Sequence, residues 1–119
     1  MRGTYVLSGT GTLYLPSGTG GSTVATPFAV VGKVTYDGNG KAQGIQTISI
    51  GGTVYRQDPI SGTYRVNDDC TGSKTFTDAT GVTSHFDFVV GPTGRMIVSI
   101  DTDSGAVLTI TAIRLDFTD

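Results

Sequence analysis

Along almost the whole chain, apolar and polar residues alternate with a period of two, and clusters of Gly, Asp, Asn and Pro break the alternation at short intervals. Successive side chains of a strand point to opposite faces, so this period is the signature of strands with one buried face. Apolar residues nowhere recur at helical spacing over three turns. The chain is therefore expected to be all-β. Its 18 glycines and many threonines favour the same outcome, because glycine weakens a helix interior by about 1 kcal/mol relative to alanine and threonine is stiff at χ1. With 119 residues there is room for one domain, spanning 1–119, and a 37% hydrophobic content suffices for its core.

The pattern predicts eight strands. The first covers 4–15, with Gly9 and Gly11 suggesting a bend, and a segment lacking any hydrophobic pattern, 16–27, follows as the only long loop. The second strand, 28–36, ends in Asp37-Gly38-Asn39-Gly40, whose dipeptides suit the positive φ of hairpin turns. The third is read as 42–57 with a bend at Gly51-Gly52, and Asp58-Pro59-Ile60-Ser61-Gly62 as the turn into a fourth, 63–67. The remaining strands are 73–78, 82–90, 95–102 and 106–116. Short links make sequential strands antiparallel, and about eight of them in a meander twist enough to close, which removes exposed edges. An up-and-down β-barrel is the expected architecture, with a two-sheet β-sandwich as its competitor.

Taking the more apolar row of each strand as the inner one places Phe86, Phe88, Val82, Ser84 and Val90 of the sixth strand inside. The same rule puts Phe28, Val30, Gly32, Val34 and Tyr36 inside, with Tyr5, Leu7, Ile48, Ile50, Tyr64, Val66, Met96, Val98, Ile100, Leu108 and Ile110. The outer row keeps Val6, Val31, Ile45, Val89, Ile97, Val107, Ile113 and Leu115 among its threonines. Were those strands adjacent, the patch would exceed what a monomer normally exposes, which makes a homo-oligomer through outer Val, Ile and Thr side chains an expectation.

Several function classes are unsupported. Eight basic and ten acidic residues give a net charge of −2 without a basic stripe, so nucleic acid is not an expected partner. No apolar run approaches the roughly 20 residues of a membrane helix. Met1-Arg2-Gly3-Thr4-Tyr5 leads into patterned sequence without a signal-peptide core, so the expectation is an intracellular chain or one whose leader has been removed. The lone Cys70 sits beside Asp68 and Asp69, acidic neighbours unfavourable to a nucleophilic thiolate. One Cys and one His do not make a zinc site, and Asp101-Thr102-Asp103-Ser104-Gly105 opens like a calcium loop but lacks its later ligands and reads as a hairpin turn. His85 and Asp87 share a strand face opposite Phe86 and Phe88, so they read as a solvated outer pair. No phosphate-binding loop or nucleophile elbow is present, and no metal or cofactor is called for.

The cavity remains. An eight-stranded barrel is filled by its own side chains or holds one small ligand. Tyr5, Tyr36 and Tyr64 join an apolar ring to a hydroxyl, which suits a cavity mouth, and Phe86, Phe88, Gln46 and Ser84 complete the expected ligand-binding set. Plain core packing is the alternative role for all seven. A bound guest and a cyclase substrate both require a connected interior cavity of about 300 Å³ or more, and a packed interior eliminates both. The 16–27 loop would be either a lid over one barrel end or an idle flexible link.

The stretches Gly3-Thr4-Tyr5, Gly32-Lys33-Val34-Thr35-Tyr36-Asp37-Gly38-Asn39-Gly40, Gly62-Thr63-Tyr64-Arg65-Val66-Asn67-Asp68-Asp69-Cys70-Thr71-Gly72 and His85-Phe86-Asp87-Phe88-Val89-Val90 together resemble a group of small Thr/Gly-rich bacterial β-domains that usually follow a secretion leader. The resemblance implies a secreted or cell-surface location and conveys no activity. More remotely, the eight-stranded meander is similar to calycin-like barrels and to those of allene oxide cyclases, dirigent proteins and cofactor-free cyclases of the Diels-Alderase type, a likeness of fold alone. Three functions follow as expectations: a non-enzymatic barrel binding a small hydrophobic molecule, a cofactor-independent cyclase or isomerase, and a structural cell-surface module.

Overall fold

A computed structural model describes residues 1–18 and 20–115. Eight antiparallel strands follow one another around a closed barrel. They are β1 (Arg2–Pro16), β2 (Thr23–Asp37), β3 (Lys41–Ile50), β4 (Thr53–Val66), β5 (Thr71–Thr77), β6 (Thr83–Val90), β7 (Met96–Asp101) and β8 (Ala106–Arg114). Closure comes from β8 lying along β1, from Tyr5↔Arg114 to Leu13↔Ala106. Among the described residues no helix is long and apolar enough to cross a membrane. Inside the barrel, Tyr5, Leu7, Val30, Val34, Tyr36, Phe86, Phe88 and Leu108 are buried, as alternation predicts; each such side chain removed from water contributes about 1.5–3 kcal/mol.

Three strand assignments need correction. The segment 16–27 is no long loop, because β1 and β2 zip together as far as Pro16↔Thr23, leaving a tip at 17–22 that Ser17 N closes onto the Ser22 carbonyl at 3.1 Å. Thr19 lies outside the described residues. The cause is that β1 leaves β8 after Leu13 and β2 leaves β3 before Phe28, so this ribbon projects past the barrel with both faces solvated and carries no hydrophobic alternation. It covers no barrel end as a lid.

The second correction concerns Gly51-Gly52, which is the β3–β4 turn itself. Ile50 pairs with Thr53, and the two glycines take φ of 59° and 91°, as a two-residue hairpin loop requires. Asp58-Pro59-Ile60-Ser61-Gly62 is strand rather than turn, so β4 begins ten residues before the expected 63. A bulge opposite Thr47 absorbs one extra residue at Gln57, whose φ is 51°. Proline is tolerated because β5 pairs with β4 only from Ser61 onward, which leaves Pro59 on a free edge.

In β7 the rows are exchanged. Ile97 and Ser99 are buried at 0% and 2% exposure, while Met96, Val98 and Ile100, expected inside, are 45–50% exposed. Composition favours the wrong row here, because Met96, Val98 and Ile100 are more apolar than Ile97, Ser99 and Asp101. The choice is made by the register with β6, where Phe88 lies opposite Ser99 and Val89 opposite Val98. Val66 and Val82, also expected inside, are exposed at strand ends. The expected last residue of β8, Asp116, lies outside the described residues.

Candidate functional site

One barrel end is plugged by tyrosines. The rings of Tyr5 and Tyr36 meet edge to face with centroids 5.4 Å apart, and those of Tyr36 and Tyr64 do so at 5.0 Å. Two of the three hydroxyls serve the plug. Tyr5 Oη donates to the Gly94 carbonyl, and Tyr64 Oη donates to the Met1 carbonyl at 2.7 Å while accepting from Gly38 N at 2.8 Å. Tyr36 Oη instead faces Lys74, whose Nζ donates to it at 3.2 Å.

Above the plug lies a cavity of about 180 Å³ with a largely aromatic and aliphatic lining. Its deep part is made by Tyr5, Tyr36, Leu7, Val34, Lys74 and Phe86, and it runs toward Leu13, Phe28, Ile50 and Val82, which are half-buried or exposed, so it opens at that end. The volume falls short of the roughly 300 Å³ required for a guest of ordinary ligand size and leaves room only for a molecule about as large as benzene. Of the seven residues singled out in the sequence, Tyr5, Tyr36, Gln46, Ser84 and Phe86 border this space and Tyr64 and Phe88 do not. Tyr64 belongs to the plug, and Phe88 packs over Gly72, where a Cβ would lie 2.4 Å from the ring. A wider hollow, between Ser8, Thr10, Val31, Thr47 and Val54, lies on the outer wall and holds no titratable side chain.

The residue that hydrophobic patterning overlooked is Lys74. It is buried at 7% exposure, on the inward row of β5 between Gly72 and Phe76. Its Nζ stands 5.4–5.8 Å from the ring centroids of Tyr36, Phe76, Phe86 and Phe88. Burial pushes its pKa down from 10.5 to about 8, so it is mainly protonated at pH 7. Three N–H donors sit on that ammonium, and Tyr36 Oη is the one hydrogen-bond partner among the described residues. A detectable signal existed in the sequence: Lys74 shares parity with Phe76.

Two acids also border the cavity, and neither forms an ion pair with Lys74. Burial pushes the Asp101 carboxyl up to about 6, outweighing the lowering effects of the hydrogen bond from Asp103 N, at 2.7 Å, and of nearby His85. Burial also raises Asp78, but hydrogen bonds from Thr80, Val82 and Gly81 outweigh it and hold this carboxyl below its ordinary value. Asp78 is thereby occupied in its own turn. At the same end Asp58 accepts from Gln46 Nε2 at 3.4 Å and from Ala79 N at 3.2 Å.

On the outer wall His85 pairs with Asp103 rather than Asp87, Nδ1 to Oδ1 at 2.7 Å. Cys70 is exposed in the β4–β5 turn with a φ of 67°. No group of three or more His, Cys, Asp or Glu side chains is arranged to hold a metal ion among the described residues. The chamber is thus lined mainly by apolar side chains, with one cation, Lys74, two phenols, Tyr5 and Tyr36, and two carboxyls, Asp78 and Asp101, at its wall. Comparison with protein-family models, with curated proteins and with solved structures returns no match.

Proposed function

We propose that the barrel is a binding domain for one small, mostly apolar molecule held in the chamber above the tyrosine plug. The observation that carries this reading is the apolar cavity of about 180 Å³ with a buried, largely unsatisfied ammonium in its wall. A dry apolar cavity of about 150 Å³ admits benzene, so the expected guest is a single ring with a short substituent or a compact fused pair of rings. That size disfavours the cyclase reading, whose long flexible substrates need a larger chamber. Titration with indole, followed by the methyl resonances of Leu7, Ile48 and Ile110, is expected to give saturable shifts with a Kd below about 1 mM, within the affinity open to about nine heavy atoms. Absence of shifts at millimolar indole would count against the pocket.

A specific observation also favours self-association. Val89 lies beside Val98 and Met96 beside Ile113, which in turn lies beside Val6, and all five are 45–55% exposed. This apolar band over β6, β7, β8 and β1 fits a homo-oligomer or a cell-surface assembly. Sedimentation at high micromolar concentration tests it, with a monomer alone counting against it. A location outside the cytoplasm rests on the resemblance to leader-bearing bacterial domains.

A further inference from the structure

Resting on that reading, we infer that the guest is a small monocarboxylate, its carboxylate seated against Lys74 Nζ and Tyr36 Oη and its ring or branched alkyl body lying among Leu7, Ile48 and Ile110. Lys74 is a buried cation with no anion in ion-pair contact among the described residues. A buried charge is ordinarily paired. Here the aromatic faces of Tyr36, Phe76, Phe86 and Phe88 offset part of its lost hydration, but they leave two N–H donors unsatisfied. Those donors open onto the same chamber that Tyr36 borders.

Tyr36 completes the receptor. Burial first, then the neighbouring Tyr5 and Tyr64, push its phenol well above the ordinary range, so it stays protonated and can donate to an oxygen while accepting from Lys74. A carboxylate offers two oxygens at the spacing of such a pair of donors. Charge balance selects a monoanion. One ammonium cannot compensate a phosphate dianion, and Asp101 at the end of β7 and Asp78 in the β5–β6 turn, the other charged groups bordering the chamber, oppose any negative charge beyond the one that Lys74 offsets. Tyr5 on β1 is the remaining titratable group there, and burial raises it too.

Benzoate and its uncharged isostere benzamide, titrated at pH 7 into the intact protein by calorimetry, test the idea. Benzoate is expected to bind at least tenfold tighter, and Lys74→Met to abolish that preference. Should that variant not fold, the wild-type Lys74 Nζ resonance serves: saturating benzoate is expected to raise its titration midpoint by about one unit for a tenfold preference. Benzamide binding as tightly as benzoate, or a midpoint unmoved by benzoate, overturns the carboxylate inference and leaves the pocket standing. Failure of benzoate, benzamide and indole alike overturns the pocket itself.

Discussion

Replacing Lys74 by Met removes the ammonium while keeping a side chain of similar length and an apolar stem, so it isolates what the buried charge does to stability. Burial lowers the pKa from 10.5 to about 8, and 10.5 minus 8 corresponds to about 3 kcal/mol against the charged folded state. Two losses reduce the gain on substitution. Tyr36 Oη loses its donor, worth about 1 kcal/mol, and the attraction of the ammonium to the surrounding rings, about 0.5–1 kcal/mol, disappears. The Met variant is therefore expected to be more stable than wild type at pH 7 by about 1–2 kcal/mol.

The pH dependence has a definite sign. Unfolded chains keep the Lys74 proton up to about pH 10.5, whereas the folded protein releases it near 8. Between these values the unfolded state binds more protons, so wild-type stability rises with pH. Below pH 8 the destabilisation is present in full, and it fades toward 10.5, closing the gap to the variant. The elevated phenols of Tyr5 and Tyr36 are present in both proteins and drop out of the difference to first order. Urea denaturation followed by far-ultraviolet circular dichroism at unit steps from pH 6 to 10 measures this. A Met variant less stable than wild type at pH 7, or a difference that does not change between pH 7 and 10, refutes the reasoning.

Three further outcomes are expected. Tyr36→Phe removes the hydrogen-bond partner of Lys74 and should destabilise by about 1 kcal/mol at pH 7, with the Lys74 midpoint falling further in an NMR titration. Gly72→Ala should cost about 1–3 kcal/mol in urea denaturation, because a Cβ there lies 2.3 Å from the Arg65 carbonyl oxygen and 2.4 Å from the Phe88 ring. His85→Ala should cost less than about 1 kcal/mol and leave indole binding unchanged, since the His85–Asp103 pair is 54% and 33% exposed and lies outside the barrel; weakened binding would contradict that placement.

How far the candidate site was legible depended on which residue carried the signal. Tyr5, Tyr36 and Phe86 announce themselves as large apolar side chains on the right parity, and they do border the chamber. Lys74 is silent to the same rule, because a row is chosen by its hydrophobicity and a lysine argues for the outside. Its inward direction comes from Phe76 two residues on, and its burial from Tyr36, Phe86 and Phe88 on strands remote in sequence. Nor could the sequence distinguish a tyrosine that plugs the barrel, such as Tyr64, from one that borders the space above.

Alternation and turn chemistry, both local properties of the chain, were enough to determine an all-β meander of eight strands and the inward rows of β1, β2, β6 and β8. Tertiary structure decided the rest. The row of β7 follows from its pairing with β6, the length of the β1–β2 ribbon from a partner already zipped beside it, and the admission of Pro59 from the edge that β5 leaves free. A strand's period says that two faces differ, but which face is buried, and what stands across from it, is settled only when a neighbour in another part of the chain fixes the register.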